Sequence, residues 1–198
     1  MKIPTKRECF GLLQASGTLP HIAVHSIQVC RVALLIVDGM AAHPPGFRRD
    51  LVQAGALLHD ITKTRSLTTG EPHAESGGLY LSERGFFEVG AIVRQHVRLA
   101  GFRRGGPVTE AEIVNYADKR VIHDHIAPLA DRMAYILERY GRTPSLLERL
   151  ARIREETLAI EEKLFRKLPF SPVAVADHLP DEGRNAEAAE YKLTILAY

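Results

Sequence analysis

The sequence predicts an all-α fold, a bundle of about seven helices followed by a C-terminal extension. Apolar residues recur at spacings of three and four along most of the chain, as expected of helices with one buried face. Two segments begin with the capping-box pattern, Thr5 with Glu8 and Thr109 with Glu112, which is typical of a helix start. No pair of alternating apolar and polar runs indicates a β-hairpin.

Three helices are predicted in the N-terminal part of the chain. The first covers about residues 5–17. The second begins near Pro20 and carries apolar residues on most of its faces. It stops at the His-Pro-Pro-Gly segment of residues 43–46, because proline cannot donate to the helical ladder. The third helix covers about residues 50–60.

The middle of the chain alternates between helices and polar segments. Residues 62–72 are polar and are predicted to form a loop. Helices are predicted for residues 73–85 and 86–97, and a basic, glycine-rich loop follows at residues 98–107. The second capping box starts a helix that is predicted to cover residues 110–125.

Two further helices, residues 129–140 and a long charged helix at 145–168, complete the predicted bundle. Beyond them the chain is interrupted by prolines, and a short helix is predicted from Glu187 onwards. We therefore expect one domain over residues 1–168 and an extension over residues 169–198. The extension could pack on the domain, cross to a partner or be mobile.

Composition and charge exclude several classes of protein. Of the 198 residues, 45% are apolar and 25% are charged, as in soluble globular proteins and unlike disordered or fibrous chains. The formal charge of +2 provides no general field that would attract nucleic acid or an anionic membrane. The longest apolar run, residues 32–37, is far shorter than the roughly 20 residues that span a bilayer. We expect a soluble protein with neither a membrane nor a nucleic acid as partner.

The cysteine content and the N-terminus favour the cytoplasm. The two cysteines, Cys9 and Cys30, do not indicate a disulfide framework, and free thiols are typical of a reducing compartment. Both fall at apolar helical positions and are expected to be small core residues. The basic N-terminal residues are not followed by the long apolar segment of a signal peptide.

The most informative feature is a set of histidine and aspartate residues on separate predicted helices: His25, His59, Asp60 and Asp118. Each one alone has an ordinary explanation, such as a hydrogen-bonded core histidine or an aspartate in a cap. Together, imidazole and carboxylate ligands suit divalent metals, and the lack of thiolates argues against a structural zinc site. A metal with open positions lowers the pKa of bound water and neutralises phosphoryl charge, as phosphoester hydrolysis requires.

The order and context of these residues resemble the HD-domain superfamily of metal-dependent phosphohydrolases. The matching segments are VHS around His25, ALLHDITK at residues 56–63 and YADK around Asp118, and the likeness covers about residues 5–140. The resemblance implies an all-helical HD domain in which the four histidine and aspartate residues bind a metal. Thr62 stands where the HDIG subgroup has glycine, a departure that removes no ligand.

Two further histidines, His73 in PHAESG and His96 in VRQH, lie between the His-Asp pair and Asp118. They look like positions at which HD-GYP phosphodiesterases and symmetrical diadenosine tetraphosphate hydrolases hold a second metal; surface or helix-capping histidines are the ordinary alternative. The Gly-Tyr-Pro element of HD-GYP enzymes is absent, so a symmetrical dinucleotide hydrolase or another nucleotide phosphohydrolase is the nearer likeness. The resemblance implies one or two divalent ions, which the sequence does not assign among Fe, Mn, Mg, Ni, Co and Zn.

The expected substrate-binding cations are Lys63, Arg98, Arg103 and Arg104. Lys63 follows the His-Asp pair by three residues, about one helical turn if the helix continues, and could bring its ammonium group to a phosphate. We expect Lys63 and Asp60 to be catalytic. The three arginines lie in the basic loop and could add phosphate contacts at the rim, although such a loop is more often a hydrated turn.

A second His-Asp pair occurs at residues 123–124 and is followed by His125. It lacks the aliphatic run that leads into His59, and it follows Asp118 on the same predicted helix. Asp118 and His125 are about two turns apart and share a face, so a contribution from His125 stays open. A structural or solvent-exposed role is favoured.

The sequence thus predicts an enzyme that hydrolyses a small phosphate ester or anhydride, a nucleotide or dinucleotide, by attack of metal-bound water. The expected partner is this small phosphorylated substrate, and a homodimer is left open. The main alternative is a non-catalytic regulatory HD domain that binds metal and nucleotide, with the helix at residues 145–168 mediating assembly. An RNA-processing accessory is disfavoured by the near-neutral charge and the lack of an aromatic stacking surface.

Overall fold

The computed structural model describes residues 2–40 and 46–196. These residues form ten α-helices, more than the roughly seven expected, with one two-stranded hairpin and one 3-10 turn. The elements are α1 (Lys6–Ala15), α2 (Pro20–Gly39), α3 (Arg49–Leu58), α4 (Lys63–Thr69), α5 (His73–Ser82), α6 (Phe87–Val93), α7 (Glu110–Asp118), β1 (Val121–Ile122), β2 (His125–Ile126), α8 (Leu129–Tyr140), α9 (Pro144–Phe165), the 3-10 turn (Pro172–Val175) and α10 (Asp181–Leu196). The all-α prediction is confirmed.

Helix α2 is the central helix of the bundle. It packs against α3, α7 and α10, and most of its residues are buried, among them Ile27, Val29 and Ile36. Among the described residues, α2 is the one helix that is long and apolar enough to cross a membrane, but 72% of its apolar window is buried inside the fold. A core helix meets the same criterion of length and composition. The predicted stop at residues 43–46 falls mostly on residues that lie outside the described part of the chain.

Both predicted capping boxes are present. The Thr5 hydroxyl accepts from the Glu8 backbone N–H over 3.3 Å, and the Glu8 carboxylate accepts from the Thr5 N–H over 2.7 Å. Thr109 and Glu112 form the same arrangement at the start of α7, with distances of 3.2 and 3.0 Å. Each box satisfies N–H groups that a helix start leaves free. The cap therefore fixes where α7 begins and helps to place Asp118, its last residue.

Helices α5 and α6 cross in close contact through two glycines. A Cβ atom at Gly78 would lie 2.7 Å from the Gly90 carbonyl oxygen, and a Cβ atom at Gly90 would lie 2.6 Å from that of Gly78. Neither position accommodates a side chain without displacing backbone. The predicted helix at residues 86–97 ends at Val93 instead, and His96 lies in the following turn. The close crossing brings this turn beside the start of α5.

Residues 62–72, predicted to form a loop, contain helix α4. The loop prediction is wrong because no residue of α4 is buried, so that no apolar period marks the helix in the sequence. The Ser66 hydroxyl donates to the Lys63 carbonyl over 2.8 Å, which is a local bond within the helix. Gly70, with a φ of 71°, ends the helix in the left-handed conformation that glycine adopts most easily.

Helix α7 ends at Asp118, earlier than predicted, and residues 121–126 contain the hairpin of β1 and β2. The expectation that no hairpin is present is wrong for this segment. Val121 and Ile122 are β-branched and favour an extended backbone. His123, with a φ of 55°, adopts the positive φ that tight two-residue hairpin turns require. Strands this short show no alternating pattern in the sequence.

The C-terminal extension packs on the rest of the protein, which is one of the three arrangements that the sequence left open. Helix α10 contacts α1 and α2, and Tyr191 is buried with its ring centroid 5.2 Å from that of Phe10. Helix α10 begins at Asp181, earlier than the predicted start near Glu187. The domain boundary at residue 168 stays a prediction.

Candidate metal centre

Six histidine and aspartate side chains from five parts of the bundle meet in one place, which we call the ligand cluster. They are His25 of α2, His59 and Asp60 in the turn after α3, His73 at the start of α5, His96 in the turn after α6, and Asp118 at the end of α7. The sequence predicted these same six residues as metal ligands. The structure brings all six side chains together, and their role as metal ligands stays a prediction.

His25, His59 and Asp118 form the first group of the ligand cluster. His25 Nε2 lies 3.2 Å from Asp118 Oδ1, and His59 Nε2 lies 3.7 Å from the same oxygen. One ligand atom from each residue lies within 4.8 Å of the other two. The His59 side chain is completely buried, while those of His25 and Asp118 are 12% and 14% exposed. The three donors therefore converge on a space that is largely shielded from solvent.

His59, Asp60 and His96 form the second group, and His73 adds a further donor. His59 Nε2 lies 3.6 Å from Asp60 Oδ2, whereas His96 Nε2 lies 3.5 Å from Asp60 Oδ1. His73 Nε2 lies 3.1 Å from Asp60 Oδ1 and 3.1 Å from His96 Nε2. The two oxygens of Asp60 thus face different histidines. The two groups share His59, which Asp60 contacts.

The spacing of the donor atoms fits a divalent ion. Bonds of about 2.0–2.2 Å from metal to nitrogen or oxygen place neighbouring ligand atoms roughly 3.0–3.6 Å apart at octahedral or tetrahedral angles. The separations described above run from 3.1 to 3.7 Å. In addition, His59 Nε2 is buried without a hydrogen-bond partner. Such an atom is unfavourable in a protein interior, and a cation would satisfy it.

Backbone carbonyls fix the orientation of three imidazole rings. The pairs are His25 Nδ1 with the His123 carbonyl at 2.7 Å, His59 Nδ1 with the Ala56 carbonyl at 2.8 Å, and His96 Nδ1 with the Val93 carbonyl at 2.7 Å. A carbonyl oxygen can only accept, so each Nδ1 carries the proton. In the neutral ring, Nε2 then presents its lone pair to the ligand cluster, as metal binding requires.

The protonation states also suit a metal. Burial lowers the pKa of His59 to about 4, although the charge of Asp60 opposes the effect, and the ring is neutral at physiological pH. Burial alone would raise the pKa of Asp60, but the neighbouring histidines and Lys63 hold it well below its ordinary value. The pKa of Asp118 is likewise low, because its contact with the α2 histidine and the charge of Arg132 outweigh burial. Neutral imidazoles and ionised carboxylates are the metal-binding forms.

Three cationic side chains surround the two carboxylates. Lys63 Nζ lies 3.7 Å from Asp60 Oδ1, and Arg132 Nη2 lies 3.7 Å from Asp118 Oδ1. Lys119 Nζ lies 3.9 Å from Asp118 Oδ2, and burial lowers its pKa to about 8. All three border a cavity that opens onto the ligand cluster. An anion that entered this cavity would meet positive charge on more than one side.

The predicted substrate-binding cations are distributed differently from expectation. Lys63 lines the cavity at the ligand cluster, and Arg98 lines a neighbouring depression. Arg103 and Arg104 are exposed and line neither of these two. Their loop is attached to α9, where Lys163 donates to the Arg103 carbonyl over 3.2 Å. Substrate binding by these three arginines stays a prediction.

The second His-Asp pair of the sequence lies outside the ligand cluster. The His125 side chain is 73% exposed, and its Nδ1 lies 2.8 Å from Asp124 Oδ1. This position agrees with the solvent-exposed role that the sequence favoured. The segment acts on the cluster only through the backbone carbonyl of His123, which accepts from His25.

Sequence reasoning missed three residues that shape the site: Asn115, Lys119 and Arg132. The buried Asn115 donates from its amide to the carbonyls of Gln95 and His96, at 2.8 and 2.9 Å, and so holds the turn that carries His96. A polar residue on the buried face of α7, one turn before Asp118, was a usable signal for this role. Arg132 of α8 had no such signal, because arginines are common on exposed helices.

A family model described as HD domain matches residues 22–153, which is two thirds of the chain. The matched segment runs from α2 into α9 and contains the whole ligand cluster. No curated protein and no solved structure matches the chain.

Proposed function

Because the chain belongs to the HD domain family, we propose that it is a metal-dependent phosphohydrolase acting on a small phosphate ester or anhydride, a nucleotide or dinucleotide. Its fold is that of a metal-dependent hydrolase domain, and two groups of its residues could hold a metal. The observation that carries the proposal is the convergence of six histidine and aspartate side chains around His59 Nε2, which is buried without a hydrogen-bond partner. A purely structural role would leave this atom unsatisfied.

We assign the cofactor as one or two divalent ions. The first would be held by His25, His59, Asp60 and Asp118, and a second by Asp60, His73 and His96. Imidazole and carboxylate donors without thiolate suit Mn, Fe, Co, Ni or Zn better than they suit Mg. When bound, such an ion lowers the pKa of a coordinated water and neutralises charge on phosphoryl oxygens.

The catalytic roles follow from charge and position. Asp60 touches both groups of the ligand cluster, and its low pKa keeps it ionised, so it serves as a ligand and has no proton to donate. Lys63 is 30% exposed on the cavity wall and carries its ammonium group beside that carboxylate. There it can hold a phosphoryl oxygen in position and offset the negative charge that develops in the transition state.

The test is phosphate release from a panel of nucleotides, dinucleotides and p-nitrophenyl phosphate in the presence of Mn²⁺ or Fe²⁺. We expect turnover by the unmodified protein and a loss of more than about a hundredfold in Asp60→Ala, since a metal ligand is removed. His125→Ala is the matched control, because its side chain is exposed and outside the ligand cluster. Full turnover by Asp60→Ala contradicts the proposal. Tight nucleotide binding without release from any substrate favours the regulatory alternative.

We further propose that the protein works in the cytoplasm. Cys9 and Cys30 are free, buried thiols, which suits a reducing compartment. Fractionation of cells that express the tagged full chain tests this location. Recovery in the membrane pellet after a salt wash would contradict it.

A further inference from the structure

The cavity above the ligand cluster has two chemically different halves. Its volume is about 450 Å³, which is within the range of small-molecule sites. One half is the polar floor, which is formed by four members of the ligand cluster together with two lysines: Asp60, His73, His96, Asp118, Lys63 and Lys119. The other half is a wall built by α8 and α9, which we call the α8–α9 wall. The floor suits a phosphoryl group. The wall must then contact the rest of the substrate, which we call its body.

One face of α8 and one face of α9 form this wall. Helix α8 contributes Arg132, Ile136 and Tyr140. Helix α9 contributes Leu146, Arg149, Leu150 and Ile153. Spacings of three and four place the residues of each set on a single helix face. Five of these seven side chains are apolar or aromatic, so the wall is an apolar surface that carries two cations.

The apolar part of the wall is accessible to a ligand. Ile136, Leu150 and Ile153 are only half-buried, and Tyr140 is 49% exposed. Leu67 of α4, which also lines the cavity, is 63% exposed. Apolar residues gathered around a concave polar site are typical of a ligand-binding groove, in contrast to single exposed leucines elsewhere on a surface.

Arg132 marks the boundary between the two halves. Its Nε is buried without a hydrogen-bond partner, and its Nη2 lies 3.7 Å from Asp118 Oδ1. A guanidinium group presents several donors in one plane and suits bidentate binding of a phosphate. An oxygen of a bound phosphoryl group would satisfy the unpartnered Nε, and the rest of the ligand would then continue along Ile136 and Tyr140.

The wall offers few groups that could read the edges of a nucleobase. Among the described residues that line the cavity, the only carboxylates are Asp60 and Asp118 of the floor, and there is no side-chain amide. Outside the floor, the side-chain hydroxyls are those of Ser66 and Tyr140, and the other polar groups are the guanidinium groups of Arg132 and Arg149, which can donate but not accept. Discrimination between bases depends on hydrogen bonds that the wrong base leaves unmade, and this wall cannot provide many of them.

We propose that the substrate class is phosphate monoesters with a flat or apolar body, which the site recognises by apolar contact with little regard to base identity. Arg132 and Lys63 hold the phosphoryl group over the ligand cluster, and the α8–α9 wall holds the body. This inference rests on the proposed function. It narrows that function by making Arg132 a substrate-binding residue and the wall the determinant of specificity.

Binding of non-hydrolysable phosphonates tests the proposal without turnover. Calorimetry on the Mn²⁺-loaded full chain compares naphthylmethylphosphonate with methylphosphonate, which share the charged group and differ in the apolar body. We expect the naphthyl compound to bind at least about tenfold more tightly, because it buries apolar surface on the wall. Leu150→Ser and Leu146→Ser should each reduce this preference several-fold. Leu158→Ser, an exposed leucine of α9 outside the cavity, should leave it unchanged.

Arg132→Met should weaken the binding of both phosphonates by a similar factor of about ten or more. The substitution removes a contact with the charged group and leaves the contacts with the apolar body in place. Equal affinity of the unmodified protein for the two phosphonates would overturn the substrate class. So would a preference of more than about tenfold among the common nucleoside monophosphates in kcat/KM. Phosphate release from no compound at all would instead overturn the proposed function, so the two failures are distinguishable.

Discussion

His25 and His123, far apart in sequence, are joined by a hydrogen bond of 2.7 Å from the ring Nδ1 of His25 to the backbone carbonyl of His123. His123 is the one non-glycine residue with positive φ in the described part of the chain. A residue in this conformation is held there at a cost of about 1–2 kcal/mol. The short hairpin therefore uses a strained turn to orient a ring of the ligand cluster.

Substitution of His123 tests this arrangement. A β-branched side chain tolerates positive φ poorly, so we expect His123→Val to lower the free energy of unfolding by about 1–2 kcal/mol. If the carbonyl shifts, the affinity for Mn²⁺ should fall about 10- to 100-fold, as when outer partners of metal ligands are removed. His123→Gly should retain both properties. Urea unfolding and metal titration measure them, and equal behaviour of the Val and Gly variants would contradict the role of the turn.

Metal stoichiometry distinguishes the two groups of the ligand cluster. We expect two equivalents of Mn²⁺ on the unmodified protein and one each on His96→Ala and His25→Ala, because each variant removes a donor of one group. Asp60→Asn should bind less Mn²⁺ than either histidine variant, since the two Asp60 oxygens face different histidines. Elemental analysis after dialysis provides the numbers, with His125→Ala as control. A single equivalent on the unmodified protein, retained unchanged in His96→Ala, would rule out the second ion.

The α5–α6 crossing should not tolerate a methyl group. We expect Gly90→Ala to lower the free energy of unfolding by about 1–3 kcal/mol, because the new Cβ would meet the Gly78 carbonyl at 2.6 Å. Separation of the helices should also move His73 from His96 and weaken metal binding. Gly105→Ala is the control, as a Cβ there meets nothing within 4 Å. Unchanged thermal unfolding of Gly90→Ala would show that the crossing can relax.

A buried ion pair fixes α9, and with it the α8–α9 wall, to α7. Lys163 Nζ lies 2.7 and 2.8 Å from the two Glu112 oxygens, and both side chains are almost fully buried. Lys163→Met leaves the Glu112 charge buried and unpaired, so the free energy of unfolding should fall by about 3–5 kcal/mol. Arg166→Met removes an exposed ion pair with Glu162 and should change the free energy of unfolding by less than about 1 kcal/mol. Chemical denaturation measures the free energy of unfolding of both variants. Similar losses in the two variants would refute the role of the buried pair.

The cysteines should be unreactive while the protein is folded. Burial raises the pKa of Cys30 to about 12 and that of Cys9 further, so both thiols stay protonated at pH 8 and should not react with iodoacetamide until the chain unfolds. Above pH 9, the ordinary thiol pKa, the unfolded chain loses protons that the folded chain keeps. Stability should therefore fall as the pH rises from about 9 towards 12. Rapid labelling of the native protein, followed by mass spectrometry, would contradict this.

The six residues of the ligand cluster were predictable from the sequence because their order and context resemble the HD-domain family, whose metal sites restrict residue type. Few side chains other than histidine and carboxylates replace one another in such a site, and the His59-Asp60 pair follows an apolar run that identifies a buried helix. The helical class was predictable for a similar reason, since apolar spacing and capping boxes are local signals. These features depend on the identity of a few residues and on their order.

Arg132 and the wall could not be predicted in the same way. An arginine on an exposed helix face is ordinary, and only the packing of α8 and α9 brings Arg132 beside Asp118. From its charge, the loop that contains Arg103 was predicted to add phosphate contacts at the rim of the site. Its position, however, depends on a contact with Lys163 that no local pattern reveals. Helix α4 was not predicted because it buries none of its residues, so its sequence has no apolar period.

The attachment of α10 to α1 has a consequence for the order in which the chain can fold. Lys6 forms ion pairs with Glu187 and Glu190, and the Gln14 amide donates to the Ile195 carbonyl, so residues about 180 positions apart must meet. Contacts of such high sequence separation carry a large loop-closure entropy and form late. The nascent polypeptide therefore leaves one side of α1 and α2 uncovered until α10 has emerged from the ribosome.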